Sequence, residues 1–315
     1  MFPHRLPLFL FLALPALAPA QRPPLKAERW SDQIKVPDPV SCAVDDQGRV
    51  YVTLTTRRKI GDLDIREWPE WVPRDVGLEN IEQKKAFFHE VLAPGKLRSP
   101  KGSLTDANKD GSVDWLDLTG PTETIIRLTD NDGDGKADTS TVFATDFRTE
   151  VTGIAAGVMA REGSVYATIA PDVWKLTDGD GDGVAEKRES IAHGFGHHIA
   201  YAGHDMHGLR TGPDGRIYWS IGDKGVNVLM PDGTRTARPH EGCVLRCEPN
   251  GSGFEIFAHG LRNVQEIAFD DYGNMFGVDN DADKPGEKER VVLSPSRATP
   301  VGAAPGNITP HGILG

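Results

Sequence analysis

The sequence predicts an all-β fold, a β-propeller, and three observations carry that expectation. A strand signal recurs: "DDQGRVYVTL" from 45, "REGSVYATI" from 161, "GPDGRIYWSI" from 212 and "DDYGNMFGV" from 270 each set a polar turn before a β-branched or aromatic run. Their turn glycines are Gly48, Gly163, Gly215 and Gly273, with the last two intervals 52 residues (163 to 215) and 58 residues (215 to 273). A second pattern is interleaved: "IIRLTDNDGDGKADTSTVFATDF", "VWKLTDGDGDGVAEKRESIAHGF" and "CVLRCEPNGSGFEIFAHGL" read as strand pairs. Short alternating strands at such a period mark propeller blades. Thirdly, no helical period separates the strands, which argues against a parallel α/β fold.

Residues 1–20, "MFPHRLPLFLFLALPALAPA", have a basic start, an apolar run from Leu6 to Leu17 and a small-x-small end at Ala18-Pro19-Ala20. That is the anatomy of a secretory signal, and the run is too short to span a bilayer. The expectation is a secreted or periplasmic chain without a transmembrane segment. Residues 21–38 read as an extended lead-in and 39–292 as blades. The first turn-glycine interval, 115 residues (48 to 163), is too long for one blade and holds an insertion near 60–120. Within it "LENIEQKKAFFHEVL" puts Ile81, Phe88, Val91 and Leu92 on one helical face. Residues 293–315 are rich in Pro, Gly and Ala and carry no blade pattern. About four blades of repeat precede them. The expectation is a chain cut short of a closed ring, by truncation or a disrupted frame, since an open ring leaves unpaired edges.

The formal net charge is −11, and loss of Arg5 with the signal makes it −12. Acid of this size argues against nucleic acid and anionic membranes as partners. Cys42, Cys243 and Cys247 form no disulfide framework; two cysteines four residues apart on one strand lie about 13 Å apart. No CxxCH haem-attachment motif is present.

Part of the acid is arranged for cations. "DANKDGSVDWLD" (106–117), "DNDGDGKADTST" (130–141) and "DGDGDGVAEKRE" (178–189) place oxygen ligands at alternate positions. Calcium takes six to eight hard oxygens, and acids at loop positions 1, 3 and 5 with Gly at 6 bend the chain round the ion. The candidate ligands are Asp106, Asn108, Asp110 and Asp117; Asp130, Asp132, Asp134 and Asp138; and Asp178, Asp180, Asp182, Glu186 and Glu189. Strands flank the second and third loops, so structural ions pinning hairpins are expected. Solvated acidic turns are the other reading.

Five of the ten histidines, His193, His197, His198, His204 and His207, fall in one stretch. No HExxH spacing exists there, and Gly194, Gly196 and Gly203 break any helix that would align zinc ligands. "HDMHGLRTGPDGRIYWSIGDKG" (204–225) and "HGLRNVQEIAFDDYGNMFGVDNDAD" (259–283) resemble two successive blade motifs of the soluble glucose and sorbosone dehydrogenases. The first matches H-x-x-x-G-L-x-x-G-P-D-G-x-(I/L)-Y-(W/Y)-x-(I/T)-G-D-x-G and the second G-x-R-N-P-Q-G-L-A-F-x-x-x-G-x-L. With "KIGDLDIREWPEWVPRD" and the acidic hairpins, the chain more closely resembles the propeller part of the large planctomycete-type membrane-bound dehydrogenases. The resemblance covers roughly residues 35–292. It implies a six-bladed quinoprotein that binds pyrroloquinoline quinone and calcium and oxidises a sugar or other alcohol. It also implies an electron acceptor such as a c-type cytochrome. His204 would be the catalytic base, Arg262 the arginine beside the quinone carbonyls, and Asn263 and Gln265 its polar neighbours. Val264 and Glu266 depart from the motif, which has Pro and Gly there, and Asp279, Asn280, Asp281 and Asp283 echo its cofactor-side calcium loop loosely. A calcium-dependent lactonase-like hydrolase and a non-catalytic propeller that binds carbohydrate or protein are the competing readings.

Overall fold

The turn glycines mark the second strand of every blade. In the computed structural model, which describes residues 26–280, 285–286 and 288–294, Gly48, Gly163, Gly215 and Gly273 have φ between +75° and +81°. An L side chain is strained in that conformation, so glycine turns each hairpin at no steric cost. The signal segment, residues 21–25 of the lead-in, Asp281, Asp283 and residues 295–315 lie outside the described residues.

Antiparallel pairing builds four blades in chain order. The first is β1 (Pro39–Val44), β2 (Val50–Thr55), β3 (Glu123–Thr129) and β4 (Thr139–Phe147). The second is β5 (Ala155–Arg161), β6 (Ser164–Ile169), β7 (Asp172–Thr177) and β8 (Lys187–His193). In the third, β9 (Met206–Thr211) and β10 (Ile217–Ile221) are followed by a separate hairpin, β11 (Val226–Leu229) with β12 (Arg235–Arg238). Then β13 (Gly242–Cys247) and β14 (Glu255–Leu261) complete that blade. The fourth has three described strands, β15 (Val264–Phe269), β16 (Met275–Asp279) and β17 (Arg290–Ser294).

Alternation along the strands feeds apolar side chains into the seams between blades. Ile125, Phe143, Val158 and Val165 join blades one and two; Val173, Met206, Leu209, Trp219 and Leu245 join two and three. Tyr218, Val244, Val264, Ile267 and Met275 join three and four. On the other face of blade one, Trp30, Ile34 and Val36 of the lead-in cover Val52, Ile126 and Leu128. Cys243 and Cys247 are buried free thiols on β13 and Cys42 is an exposed one.

The insertion between β2 and β3 folds as a small helical unit, with α1 (Val72–Asp75), α2 (Ile81–Val91) and 3-10 turns. Asn80 caps α2 by accepting from the Gln83 N–H at 2.9 Å. The helix buries Ile81, Lys84, Phe87 and Phe88, while Val91 is half-buried. Its core stacks Trp68 on Trp71 at 3.9 Å and sets Phe87 edge-on to Trp71, with Leu92, Leu104 and Leu118 around them. The chain from 196 to 202, which links blades two and three, is sewn to this unit. Lys84 Nζ donates to the carbonyls of Gly196 (2.7 Å) and His198 (3.1 Å), and His198 Nδ1 donates to the Asp75 carbonyl at 2.6 Å.

His197 sits in that seam, fully buried, with no hydrogen-bond partner on either ring nitrogen. Burial, reinforced by His198 and Lys84, lowers its pKa to about 3, and burial lowers that of His198 to about 4. A folded-state pKa below the unfolded 6.5 means that the unfolded chain takes up protons first as pH falls. The stability owed to a neutral His197 is therefore whole above pH 6.5 and drains away between about 6.5 and 3. The melting-temperature difference between wild type and His197→Gln should accordingly shift against wild type as pH falls from 7 to 4. Taking a difference cancels other titrating groups, among them Glu123, whose pKa burial raises to about 7. A difference independent of pH would contradict the assignment.

Candidate active site

His204 stands just before β9, its backbone N–H donating to the Tyr201 carbonyl at 3.2 Å. Its ring is buried, with Nδ1 2.6 Å from Asp223 Oδ1. A carboxylate there selects the Nδ1–H tautomer and leaves Nε2 with its lone pair. Asp223 follows β10 through Gly222, and no other residue fits that position. A Cβ on Gly222 would lie 2.7 Å from His204 Cβ and 2.9 Å from Asn263 Oδ1. The glycine thus lets three chain segments meet.

Arg262 and Asn263 form the corner between β14 and β15. The buried carboxylate of Asp279, at the end of β16, fixes this corner by accepting the Asn263 N–H at 2.7 Å and the Arg262 N–H at 3.1 Å. Asn263 Nδ2 donates to the Gly203 carbonyl at 3.4 Å, which ties the corner to the His204 loop. Three buried polar atoms remain unpartnered in this region: Arg262 Nη1, Asn263 Oδ1 and Asn280 Oδ1. Such atoms cost free energy unless something meets them, and a donor and two acceptors together suit a polar oxygen- and nitrogen-bearing ligand. Gln265, two residues on, is exposed on β15 and is not gathered with them.

Lys224 supports the floor. Its buried ammonium lies 2.9 Å from Asp205 Oδ1 and 3.6 Å from Asp62 Oδ1, the latter supplied by the insertion. Burial opposes every one of these charges. The two carboxylates nevertheless hold the Lys224 pKa above its ordinary value, and Lys224 holds that of Asp205 below. A cavity of about 40 Å³ beside them is lined by Arg57, Lys84, Asp62, Asp205 and Lys224 among others.

Of the other histidines of that stretch, His207 borders this centre, sharing the Gly203 carbonyl with Asn263. His193 is exposed and paired with Asp172 at 2.9 Å, and His207 Nε2 donates to the Gly203 carbonyl at 3.1 Å. His197 and His198 belong to the insertion seam, where His240 stacks on His198 at 4.8 Å.

The acidic loops differ among themselves. In the third, Asp178, Asp180, Asp182 and Glu186 bring one carboxylate oxygen each within 4.8 Å of the others, whereas Glu189 points along β8 and pairs with Lys187. Arg127 of blade one also reaches Asp178, at 3.2 Å. The second gathers Asp130, Asp132 and Asp138 but not Asp134, whose carboxylate accepts the Lys136 N–H at 2.7 Å. In the first, Asp106, Asp110 and Asp117 are not gathered. Asp117 is buried and accepts three backbone N–H groups, from Ala107, Asn108 and Asp114, while capping a 3-10 turn at Trp115–Thr119.

The blade motifs single out His204, Arg262 and Asn263 and give no role to Asp223 or Lys224, while Asp279, which they offer as a loose calcium-loop acid, accepts the backbone N–H groups of the Arg262–Asn263 corner. Asp223 and Lys224 lie within the quoted G-D-x-G signature, so a signal for the His204 partner was present. Asp279 makes its contact by strand pairing between β15 and β16, which no local motif encodes.

Among the described residues no helix is long and apolar enough to cross a membrane. No curated protein matches the chain. Among solved structures, it is similar to the pyrroloquinoline quinone-bound aldose sugar dehydrogenase of Streptomyces coelicolor, at 16% identity and TM-score 0.45, over 86% of this chain and 66% of that one. It is also similar to the pyrroloquinoline quinone domain of pyranose dehydrogenase from Coprinopsis cinerea (14%, TM-score 0.33, 54% of this chain and 45% of that one). A third is a Trichoderma reesei carbohydrate-active enzyme of family AA12 (14%, TM-score 0.36, 57% and 50%). The chain thus spans less than two thirds of each of these proteins. Residues 22–299 match the family model described as a domain of unknown function, DUF7133, and the chain belongs to that family.

Proposed function

We propose that this chain is the propeller of an exported quinone-dependent dehydrogenase that oxidises a sugar or other alcohol, with His204 as its base. The observation that carries the reading is the buried His204–Asp223 pair beside a corner whose Arg262 Nη1 and Asn263 Oδ1 lack partners. Asp223 accepts the Nδ1 proton, so Nε2 is the atom that takes a proton from a substrate hydroxyl. The positive charge that develops on the ring is then stabilised by the carboxylate 2.6 Å away. Arg262 and Asn263 would hold pyrroloquinoline quinone, the guanidinium fork matching its carboxylate and carbonyl oxygens. When bound, that group supplies the hydride acceptor. Gln265 would join only if substrate or a neighbouring element covers β15. Reducing equivalents would leave to an acceptor such as a c-type cytochrome. The kinship with the planctomycete-type enzymes rests on the sequence motifs alone.

The lactonase reading needs an ion held by acids near His204. The buried acids closest to it in the chain fold, Asp205 and Asp62, are engaged by the Lys224 ammonium. Calcium on the hairpins is a separate, structural proposal, strongest for Asp178, Asp180, Asp182 and Glu186.

Two measurements test these assignments. His204→Ala should lower quinone-dependent dye reduction by about 10²-fold or more while the quinone absorbance titration still saturates, as loss of a general base requires. Asp223→Asn should fall between this variant and wild type. Turnover that survives His204→Ala removes the base assignment. Separately, calcium at a hundred times its dissociation constant should stabilise the fold by about 2.7 kcal/mol. Asp178→Asn with Asp180→Asn should abolish that rise in melting temperature, and a wild-type chain indifferent to calcium and to chelator refutes the hairpin site.

A further inference from the structure

We propose that Tyr201 is a positioning residue for both His204 and Arg262, and that the insertion holds it in place. The inference rests on the reading that these two residues form the reacting centre. Two guanidinium groups stand over the half-buried Tyr201 ring, Arg262 Cζ 5.6 Å and Arg66 Cζ 4.8 Å from its centroid. It also meets the His204 ring edge-on at 5.2 Å and 67°. One side chain thus touches the base and the cofactor-side cation at once.

The chemistry of that contact matters. A hydrogen-bonding partner would use up donors of Arg262, whereas a ring face attracts the cation and leaves its in-plane N–H groups available. Nη1 is the donor left without a partner. For His204, Asp223 fixes one ring nitrogen but not the tilt of the ring, and the edge contact supplies a second point of support.

The insertion provides the rigidity. Asp64 grips Arg66 through two hydrogen bonds, Nε at 2.8 Å and Nη2 at 2.6 Å, and also accepts the Ala202 N–H at 3.2 Å. The Ile65 N–H donates to the Ala200 carbonyl at 2.9 Å, and Asp75 Oδ1 accepts the Ile199 N–H at 2.8 Å. Ala200 itself has φ +48°, a conformation an L residue avoids unless its surroundings impose it. The bonds on either side of it come from the insertion, so the propeller alone does not set the direction of Tyr201.

The test compares Tyr201→Leu, Tyr201→Phe and Arg66→Met in the full chain. Two readouts are used: nitrogen chemical shifts of the His204 ring without cofactor, and the dissociation constant for pyrroloquinoline quinone. Tyr201→Leu should weaken quinone binding by about ten-fold, the scale of one cation–π contact, and shift the His204 ring-nitrogen resonances from their wild-type values. Tyr201→Phe keeps the ring and should restore both. Arg66→Met, whose side chain is 63% exposed, should perturb both in the same sense and serves if Tyr201→Leu does not fold. A Tyr201→Leu protein that melts lower but keeps wild-type shifts and affinity overturns the proposal. So does an unaltered Arg66→Met where Tyr201→Leu does not fold. If wild type binds no quinone, the function reading fails and the His204 shifts alone decide this one.

Discussion

The ammonium of Lys224 is the contact on which the centre of this molecule depends. It joins three segments distant in sequence: Asp62 in the insertion, Asp205 next to His204, and the turn after β10 that carries Asp223. Buried carboxylates without a cation are costly, since desolvation opposes their charge and nothing repays it. That lysine offsets the cost of bringing both carboxylates to the blade-three turn. The backbone takes part as well, because the Lys224 carbonyl accepts the His198 N–H at 2.9 Å. Residue 224 therefore holds two carboxylates through its side chain and the interblade link through its backbone. The His204–Asp223 geometry is a consequence of where this residue stands.

A second constraint repeats from blade to blade. The turn between the third and fourth strands leans on the element before it. In blade one the Ala137 N–H reaches the Trp30 carbonyl of the lead-in at 2.9 Å. In blade two the Ala185 N–H reaches the Phe143 carbonyl at 2.8 Å. Blade three has no acidic loop, yet the Pro249 carbonyl in the corresponding turn accepts from Tyr166 of blade two at 3.2 Å. The latch is thus a property of the fold, and the acids are an addition to it in blades one and two. That separation explains why Asp178 can serve Arg127 across the blade seam and still belong to a carboxylate cluster.

The strands were legible because their signal is local. A glycine forced to positive φ and a period-two run of Val, Tyr, Trp and Ile need no tertiary context, and β2, β6, β10 and β16 begin within two residues of the turns read from sequence. The helix α2 was legible for the same reason, although Lys84 on its buried face shows where periodicity misleads: a lysine reads as solvent-facing until two carbonyls are found for it. His204, Arg262 and Asn263 were candidates by chain order within two blade motifs. Asp223 lay inside one of those motifs but reads as turn chemistry, because Gly-Asp is what turns use. Tyr201, Asp62 and Asp279 act across the insertion or across a strand pair, and no spacing rule links position 62 to 205 or 279 to 262.

The unpartnered polar atoms separate what this centre is from what surrounds it. His197 has two, at the insertion seam, and there the imidazole is neutral and the cost falls on acid stability. Arg262 Nη1, Asn263 Oδ1 and Asn280 Oδ1 instead sit around a backbone corner that Asp279 has already fixed. A guanidinium cannot shed its proton to escape the cost, unlike a histidine. The chain holds that cation by an aromatic face, uses a buried aspartate on the backbone rather than on the guanidinium, and leaves the donor bare. The corner therefore keeps an unpartnered guanidinium donor beside two unpartnered amide oxygens.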